Sequence, residues 1–86
     1  MGKVAVSFRI MPEGIEVDLR GLEAAIRKSL GARLKKLETK PVAFGLKAIE
    51  VIVVVEDASG EMEKVESSLA ALPGVGGVET TEVTLL

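Results

Sequence analysis

The segment from Leu46 to Glu56 constrains the fold of this 86-residue chain more than any other part of the sequence. Read as a β-strand, it places apolar residues on both faces: Ile49, Val51, Val53 and Val55 on one, and Ala48, Ile52 and Val54 on the other. Glu50 is the single charged residue between them. Strands that are apolar on both faces are typical of the centre of a sheet. We therefore expect further strands on both sides of this segment.

The start of the chain predicts a second central strand. Residues 3–10 alternate with period two, which indicates a half-buried strand with one apolar face: Val4, Val6, Phe8 and Ile10. Pro12 has no backbone N–H and is expected to end this strand. Two more strands are predicted, a lysine-rich edge strand over 32–39 and a last strand over 78–86.

Two helices are predicted between the strands. The first spans residues 18–30, with Asp18 as its N-cap and Gly31 as its stop, on an apolar stripe of Leu19, Leu22, Ile26 and Leu30. The second follows a turn at 57–60, in which Ser59 is available as an N-cap, and its stripe is Met62, Val65, Leu69 and Leu72.

The order strand, helix, strand, strand, helix, strand is the split βαβ pattern of ferredoxin-like domains. We therefore predict an α+β fold, a βαββαβ sandwich in which a four-stranded antiparallel sheet carries two helices on one face. Residues 1–86 form a single domain in this interpretation. The other face of the sheet is open and would present Ala5, Ser7, Arg9, Glu50, Ile52 and Val54. It is either a contact surface or ordinary exposed sheet.

Composition excludes most covalent chemistry. The chain has no His and no Cys, which removes the usual general base at neutral pH, the thiolate nucleophile and the common zinc ligands. We expect a binding or regulatory protein, not an enzyme, with no cofactor and no metal site. Cys, Asn and Gln, which are labile at high temperature, are all missing, and this favours a thermophilic source.

The sequence also predicts a cytoplasmic protein without a membrane partner. It contains no run of about 18 apolar residues and no signal-peptide pattern. The net charge of −2 hides an uneven distribution: residues 1–47 hold ten basic and five acidic residues (+5), and residues 48–86 hold one and eight (−7). This split indicates either a charged partner or a fold that interleaves the two halves.

Other functions of this fold class fit less well. RNA-recognition domains stack bases on aromatic residues of the central strands, but the only aromatic residue here is Phe8, on the helix-covered face. We therefore expect no direct contact with nucleic acid, although RNA binding and small-molecule sensing remain alternatives. The glycine-rich run Gly74-Val75-Gly76-Gly77 follows a helix, whereas phosphate-binding loops precede one.

Phe44 is one of two aromatic residues and falls in a loop between Pro41 and Gly45, flanked by Lys40 and Lys47. Loops held by a rigid scaffold are where binding residues concentrate. Phe44 could therefore anchor a partner, or it could fold over the end of the sheet and cap the core. The residues alone leave both interpretations open.

The stretch Pro41-Val42-Ala43-Phe44-Gly45-Leu46-Lys47, followed by a strand ending Val53-Val54-Val55-Glu56-Asp57, resembles the elongation factor 1-beta family. The similarity extends over the whole chain, and its length resembles the archaeal form. The family promotes exchange of GDP for GTP on elongation factor 1-alpha, without covalent catalysis, by docking near the switch and magnesium region of that partner. The resemblance implies that Phe44 contacts the partner, together with Pro41, Gly45 and Lys47 of the same motif.

One family feature has no counterpart here. Eukaryotic members end in an extension whose penultimate lysine enters the magnesium site of the partner. This sequence ends Thr84-Leu85-Leu86. We therefore do not expect the lysine step to apply.

Overall fold

The computed structural model describes residues 2–56 and 60–86. Its elements are strand β1 (Lys3–Pro12), helix α1 (Leu19–Leu30), a 3₁₀ turn (Gly31–Arg33), strands β2 (Leu34–Pro41) and β3 (Lys47–Glu56), helix α2 (Glu61–Ala70) and strand β4 (Val75–Leu85). The four strands form one antiparallel sheet in the order β2-β3-β1-β4. This confirms the predicted ferredoxin-like α+β fold, with β1 and β3 at the centre.

The core lies between the sheet and the helices. The register pairs Val4 with Val55 and Ile10 with Ile49, so the apolar faces of β1 and β3 coincide. Phe8 is 1% exposed and belongs to this core, as its alternation predicts. The helices contribute most of their predicted stripes, and the buried helical residues are Leu22, Ile26, Leu30, Val65 and Leu69. Leu72 lies beyond the end of α2 and is partly buried against the core.

Helix α1 begins and ends where the sequence predicts. Asp18 has extended backbone geometry at the N-cap, and its carbonyl oxygen accepts a hydrogen bond from the Leu22 N–H at 3.0 Å, although its side chain makes no capping hydrogen bond. Gly31 ends the helix with a φ of 56°. The predicted N-cap of α2, Ser59, and the turn residues before it lie outside the described residues, and the N-cap position is occupied by Gly60.

Two strands differ in extent from prediction. Strand β1 ends at Pro12 as predicted, but Pro12 pairs with Val75, so β4 starts three residues before the predicted Val78. Strand β2 covers Leu34–Pro41 and so starts two residues after the predicted 32–39, because the 3₁₀ turn occupies Gly31–Arg33. At the start of β4, Gly76 favours the close approach of the two strands, because a Cβ there would lie only 3.0 Å from the Pro12 carbonyl oxygen.

Candidate functional site at one end of the sheet

The loop between β2 and β3 is a tight hairpin connection. Pro41 and Lys47 form the last pair of the two strands. Beyond them the Val42 N–H donates to the Leu46 carbonyl, and the Leu46 N–H donates to the Ala43 carbonyl, both at 2.9 Å. The second hydrogen bond closes a four-residue turn whose central residues are Phe44 and Gly45.

Phe44 has an unusual backbone conformation in this turn. Its φ is 53° and that of Gly45 is 80°, and positive values at both central positions are those of a type I′ turn. Such turns favour Asn, Asp or Gly at the first central position. Phe44 is the only non-glycine residue with positive φ in the part of the chain that the structure describes. This conformation costs an ordinary side chain about 1 kcal/mol.

The side chain of Phe44 projects into solvent. It is 97% exposed, so it does not fold over the sheet and cap the core. Of the two interpretations left open by the sequence, the structure therefore contradicts the one in which Phe44 caps the core. A large apolar side chain held in solvent on a strained turn gives nothing to the stability of the isolated fold.

The other residues of the predicted motif surround the same turn. Pro41, Gly45 and Lys47 are exposed at this end of the sheet. Lys47 makes no ion pair with any described residue, whereas Lys40 lies 3.3 Å from Glu50 and 3.4 Å from Glu38. The pKa of Lys40 is raised above its ordinary value, mainly by the hydrogen bond and charge of Glu50. Lys47 is thus the basic residue beside Phe44 with its charge unpaired within the described chain.

A second turn, which the sequence did not single out, lies beside the first. The Val17 N–H donates to the Gly14 carbonyl at 3.4 Å, closing a turn with Ile15 and Glu16 at its centre. Ile15 is 70% exposed. A Cβ built on Gly45 would lie 3.6 Å from Ile15 Cγ2, so the two turns lie side by side. Ile15 belongs to no periodic pattern in the sequence. The only signal that could have identified it is that an apolar residue stands in a turn, where polar residues are usual.

The open sheet face, the other surface suggested by the sequence, is crossed by ion pairs. Arg9 lies 3.6 Å from Glu50, and Lys36 lies 2.8 Å from Glu38. Lys40 pairs with both carboxylates and so joins the two ion pairs into one row. The pKa of Glu38 is lowered, first by its hydrogen bond with Lys36 and the charge of that lysine. Opposite charges are already matched across this face. It therefore offers less to a partner than the two turns do.

Two further observations bear on function. Among residues 2–56 and 60–86, no helix is long and apolar enough to cross a membrane. The burial of Phe8 leaves the central strands without an aromatic residue on the open face, where RNA-binding relatives of this fold stack bases.

The fold defines a small α+β domain with exposed apolar residues on two turns at one end of its sheet. Comparison with known proteins identifies its family. Residues 5–86 match the family described as "EF-1 guanine nucleotide exchange domain". The chain is 46% identical to elongation factor 1-beta of Methanococcoides burtonii, over 96% of each chain, and 42% identical to that of Methanothermobacter thermautotrophicus, over 100% of this chain and 99% of that one.

The chain is also 35% identical to elongation factor 1-beta of Thermoplasma volcanium, over the full length of both chains. The chain therefore belongs to the elongation factor 1-beta family. The family role is nucleotide exchange in translation elongation. A solved structure, that of the C-terminal domain of the MgtC protein from Mycobacterium tuberculosis, superposes with a TM-score of 0.60 at 17% identity, covering 99% of this chain and 89% of that one. That likeness shows the fold alone.

Proposed function

We propose that residues 1–86 act as a single exchange domain in the cytoplasm, which docks on elongation factor 1-alpha and accelerates the release of GDP. The docking end is the turn that carries Phe44, with Pro41, Gly45 and Lys47 around it. It approaches the partner near the switch and magnesium region. Neither a bound cofactor nor covalent catalysis takes part.

One observation carries this proposal, the conformation of Phe44. Its positive φ disfavours the isolated fold and its exposed ring does not stabilise it, and strained residues on rigid scaffolds cluster at binding and switch sites. Burying such a side chain in a partner recovers about 1.5–3 kcal/mol. Burial of Phe44 in a partner would therefore offset the conformational cost, which no contact within the described part of the fold offsets.

Exchange needs a difference in affinity between two states of the partner. A factor that prefers the nucleotide-free partner weakens nucleotide binding by the same coupling free energy. A ten-thousand-fold weakening corresponds to about 5.5 kcal/mol. Burial of Phe44 supplies at most about half of this. The remainder requires other contacts, for which Lys47 supplies an unpaired positive charge.

The test is release of labelled GDP from elongation factor 1-alpha with the wild-type chain and with Phe44→Ala. We expect the variant to fold normally and to need about tenfold more protein for the same acceleration, the effect of losing one well-buried interface anchor. Val83→Ala is the matched control, since Val83 is an exposed apolar residue on β4, paired with Val6 and away from the turn. Equal activity of Phe44→Ala and wild type would overturn the site assignment.

A further inference from the structure

We propose that Ile15 is a second anchor of the docking surface, so that elongation factor 1-alpha is held by two adjacent turns rather than by Phe44 alone. This inference rests on the proposed function and extends it to a loop outside the motif that marks the family. Four features of the structure support it.

The first feature is the position of Ile15 in its turn. Ile15 follows Gly14 in the turn closed by Val17, just as Phe44 follows Ala43 in the turn closed by Leu46. Both are the first central residue, and both project an apolar side chain where Gly, Pro, Asn, Asp or Ser is usual. The same departure from turn chemistry therefore occurs twice at one end of the sheet.

The second feature is the proximity of the two turns. Ile15 Cγ2 lies 3.6 Å from the place that a Cβ on Gly45, the residue after Phe44, would occupy. Val42, also exposed, belongs to the same loop as Phe44. We call the exposed apolar residues of these two neighbouring loops, Ile15, Val42 and Phe44, the two-turn surface. A partner that buries Phe44 meets Ile15 beside it.

The third feature is the rigidity of the segment that holds Ile15. On one side the Glu13 N–H donates to the Gly74 carbonyl at 2.8 Å. On the other side Val17 packs against the core, with its Cγ1 3.2 Å from the place that a Cβ on Gly74 would occupy. The backbone on both sides of Ile15 is thus anchored before binding, and a preformed loop loses less conformational entropy when a partner covers it.

The fourth feature is the position of the apolar surface relative to charge. The strand row of Lys36, Glu38, Lys40, Glu50 and Arg9 lies on the open face and is matched within the chain. Two exposed charged residues, Glu16 and Lys47, lie next to the two-turn surface. An apolar centre with charged residues around it is the usual arrangement of a protein-binding surface.

The experiment measures labelled GDP release from elongation factor 1-alpha against the concentration of wild type, Ile15→Ser, Phe44→Ala and the double variant. We expect Ile15→Ser to raise the concentration for half-maximal acceleration about tenfold. Ile15→Leu should restore most of the activity, because it keeps the apolar contact. Val83→Ser is the control for loss of an exposed apolar side chain, and a circular dichroism melt of each variant checks the fold.

The double variant separates direct contact from an indirect effect through Gly45. If Ile15 touches the partner, Ile15→Ser lowers activity further in the Phe44→Ala background. If it adds nothing there, Ile15 only positions the Phe44 turn, and the anchor proposal is wrong.

Two other outcomes would also overturn the proposal. Wild-type activity of Ile15→Ser removes Ile15 from the surface but leaves the exchange function intact, whereas no acceleration by the wild-type chain refutes both. Light scattering tests whether a second copy of the chain is the occupant instead. A dimer that Ile15→Ser dissociates, with exchange unchanged, would contradict the assignment of the surface to the GTP-binding partner.

Discussion

Phe44 combines a local conformational cost with an exposed apolar surface. The turn has the geometry for which Asn-Gly is the preferred sequence, yet it contains Phe44-Gly45. The turn type depends on where β2 and β3 begin to pair, and only the folded structure gives that position. The orientation of Phe44 could therefore not be derived from the sequence alone. The position of Phe8 could be, since alternation along β1 fixes its face.

Replacing Phe44 by Asn is expected to separate stability from function. Asn adopts positive φ more easily than other non-glycine residues, so Phe44→Asn should raise the free energy of unfolding by about 0.5–1 kcal/mol. The same variant should accelerate GDP release poorly. Urea denaturation measures the first effect and nucleotide release the second.

Phe44→Ala is the comparison for this variant, because Ala removes the ring without favouring positive φ. Should Phe44→Asn prove less stable than Phe44→Ala, the assignment of strain to this turn would be incorrect.

At the scale of elements, the side chain of Arg33 ties the two helices together. Its Nε donates to the Leu30 carbonyl at 3.2 Å and its Nη2 donates to the Ser29 carbonyl at 3.1 Å, so it satisfies carbonyl groups at the end of α1. Its Nη1 lies 3.7 Å from the Glu61 carboxylate in the first turn of α2. Sequence patterning located both helices but not this link, since a single arginine in a basic stretch carries no periodic signal.

We therefore expect Arg33→Ala to lower the free energy of unfolding by about 1 kcal/mol, the typical loss of such hydrogen bonds at a partly exposed site. Lys35→Ala is the control, since Lys35 is an exposed neighbour on β2 without a described ion pair. Urea unfolding of both variants gives the comparison. Equal midpoints for the two would show that Arg33 does not stabilise the end of α1.

The strands were predictable in their order and faces but not in all their ends. Two segments that are apolar with period two specify the central strands and hence the topology. The start of β4 was missed because Gly76 and Gly77 have no side chains and therefore no alternation to read. The two-turn surface was only half predicted: Phe44 belongs to a motif, whereas Ile15 becomes its neighbour only through the tertiary fold.

At the scale of the whole molecule, charge is separated between two flanks. Residues 19–41 include seven basic and two acidic residues, a net charge of +5. Residues 60–86 include one basic and five acidic residues, a net charge of −4. Hydrogen bonds place α1 beside β2 (Thr39 to Glu23) and α2 beside β4 (Thr80 to Glu66), at opposite edges of the sheet. Ion pairs such as Lys40–Glu50 and Arg33–Glu61 join the two halves of the chain and neutralise part of this division, as expected of a fold that interleaves them. The other interpretation, a charged partner, stays a prediction.

The ion pairs on the open face predict a specific pH dependence. The pKa of Glu38 is lowered from 4.5 by Lys36 and Lys40. Because the carboxyl is more acidic in the folded state, its contribution to stability is complete above pH 4.5 and is lost as the pH falls through the lowered value. Glu38→Gln should therefore be less stable than wild type at pH 7, with the difference disappearing at low pH.

Denaturant midpoints of both proteins at pH 7 and in the acid range measure this effect. High salt at pH 7 is the control, because screening should shrink the same difference. A difference between Glu38→Gln and wild type that persists below the lowered pKa would mean that the charge of Glu38 is not its source.

The overall shape places the two-turn surface at one end of the molecule. The strands run along the longest dimension of 41 Å, with Phe44 beyond the pair Pro41–Lys47 and the end of β4 near Lys3 at the other end. A sheet that holds two apolar turns at its end suits the proposed action by contact with a partner.

The most direct test of this account follows labelled GDP on elongation factor 1-alpha with wild-type protein at substoichiometric amounts. An exchange factor lowers a barrier without changing the final equilibrium, so both GDP release and GTP loading should become faster while the final nucleotide occupancy stays the same. A release rate that is unchanged by the protein, at any concentration up to excess over the partner, would contradict the account.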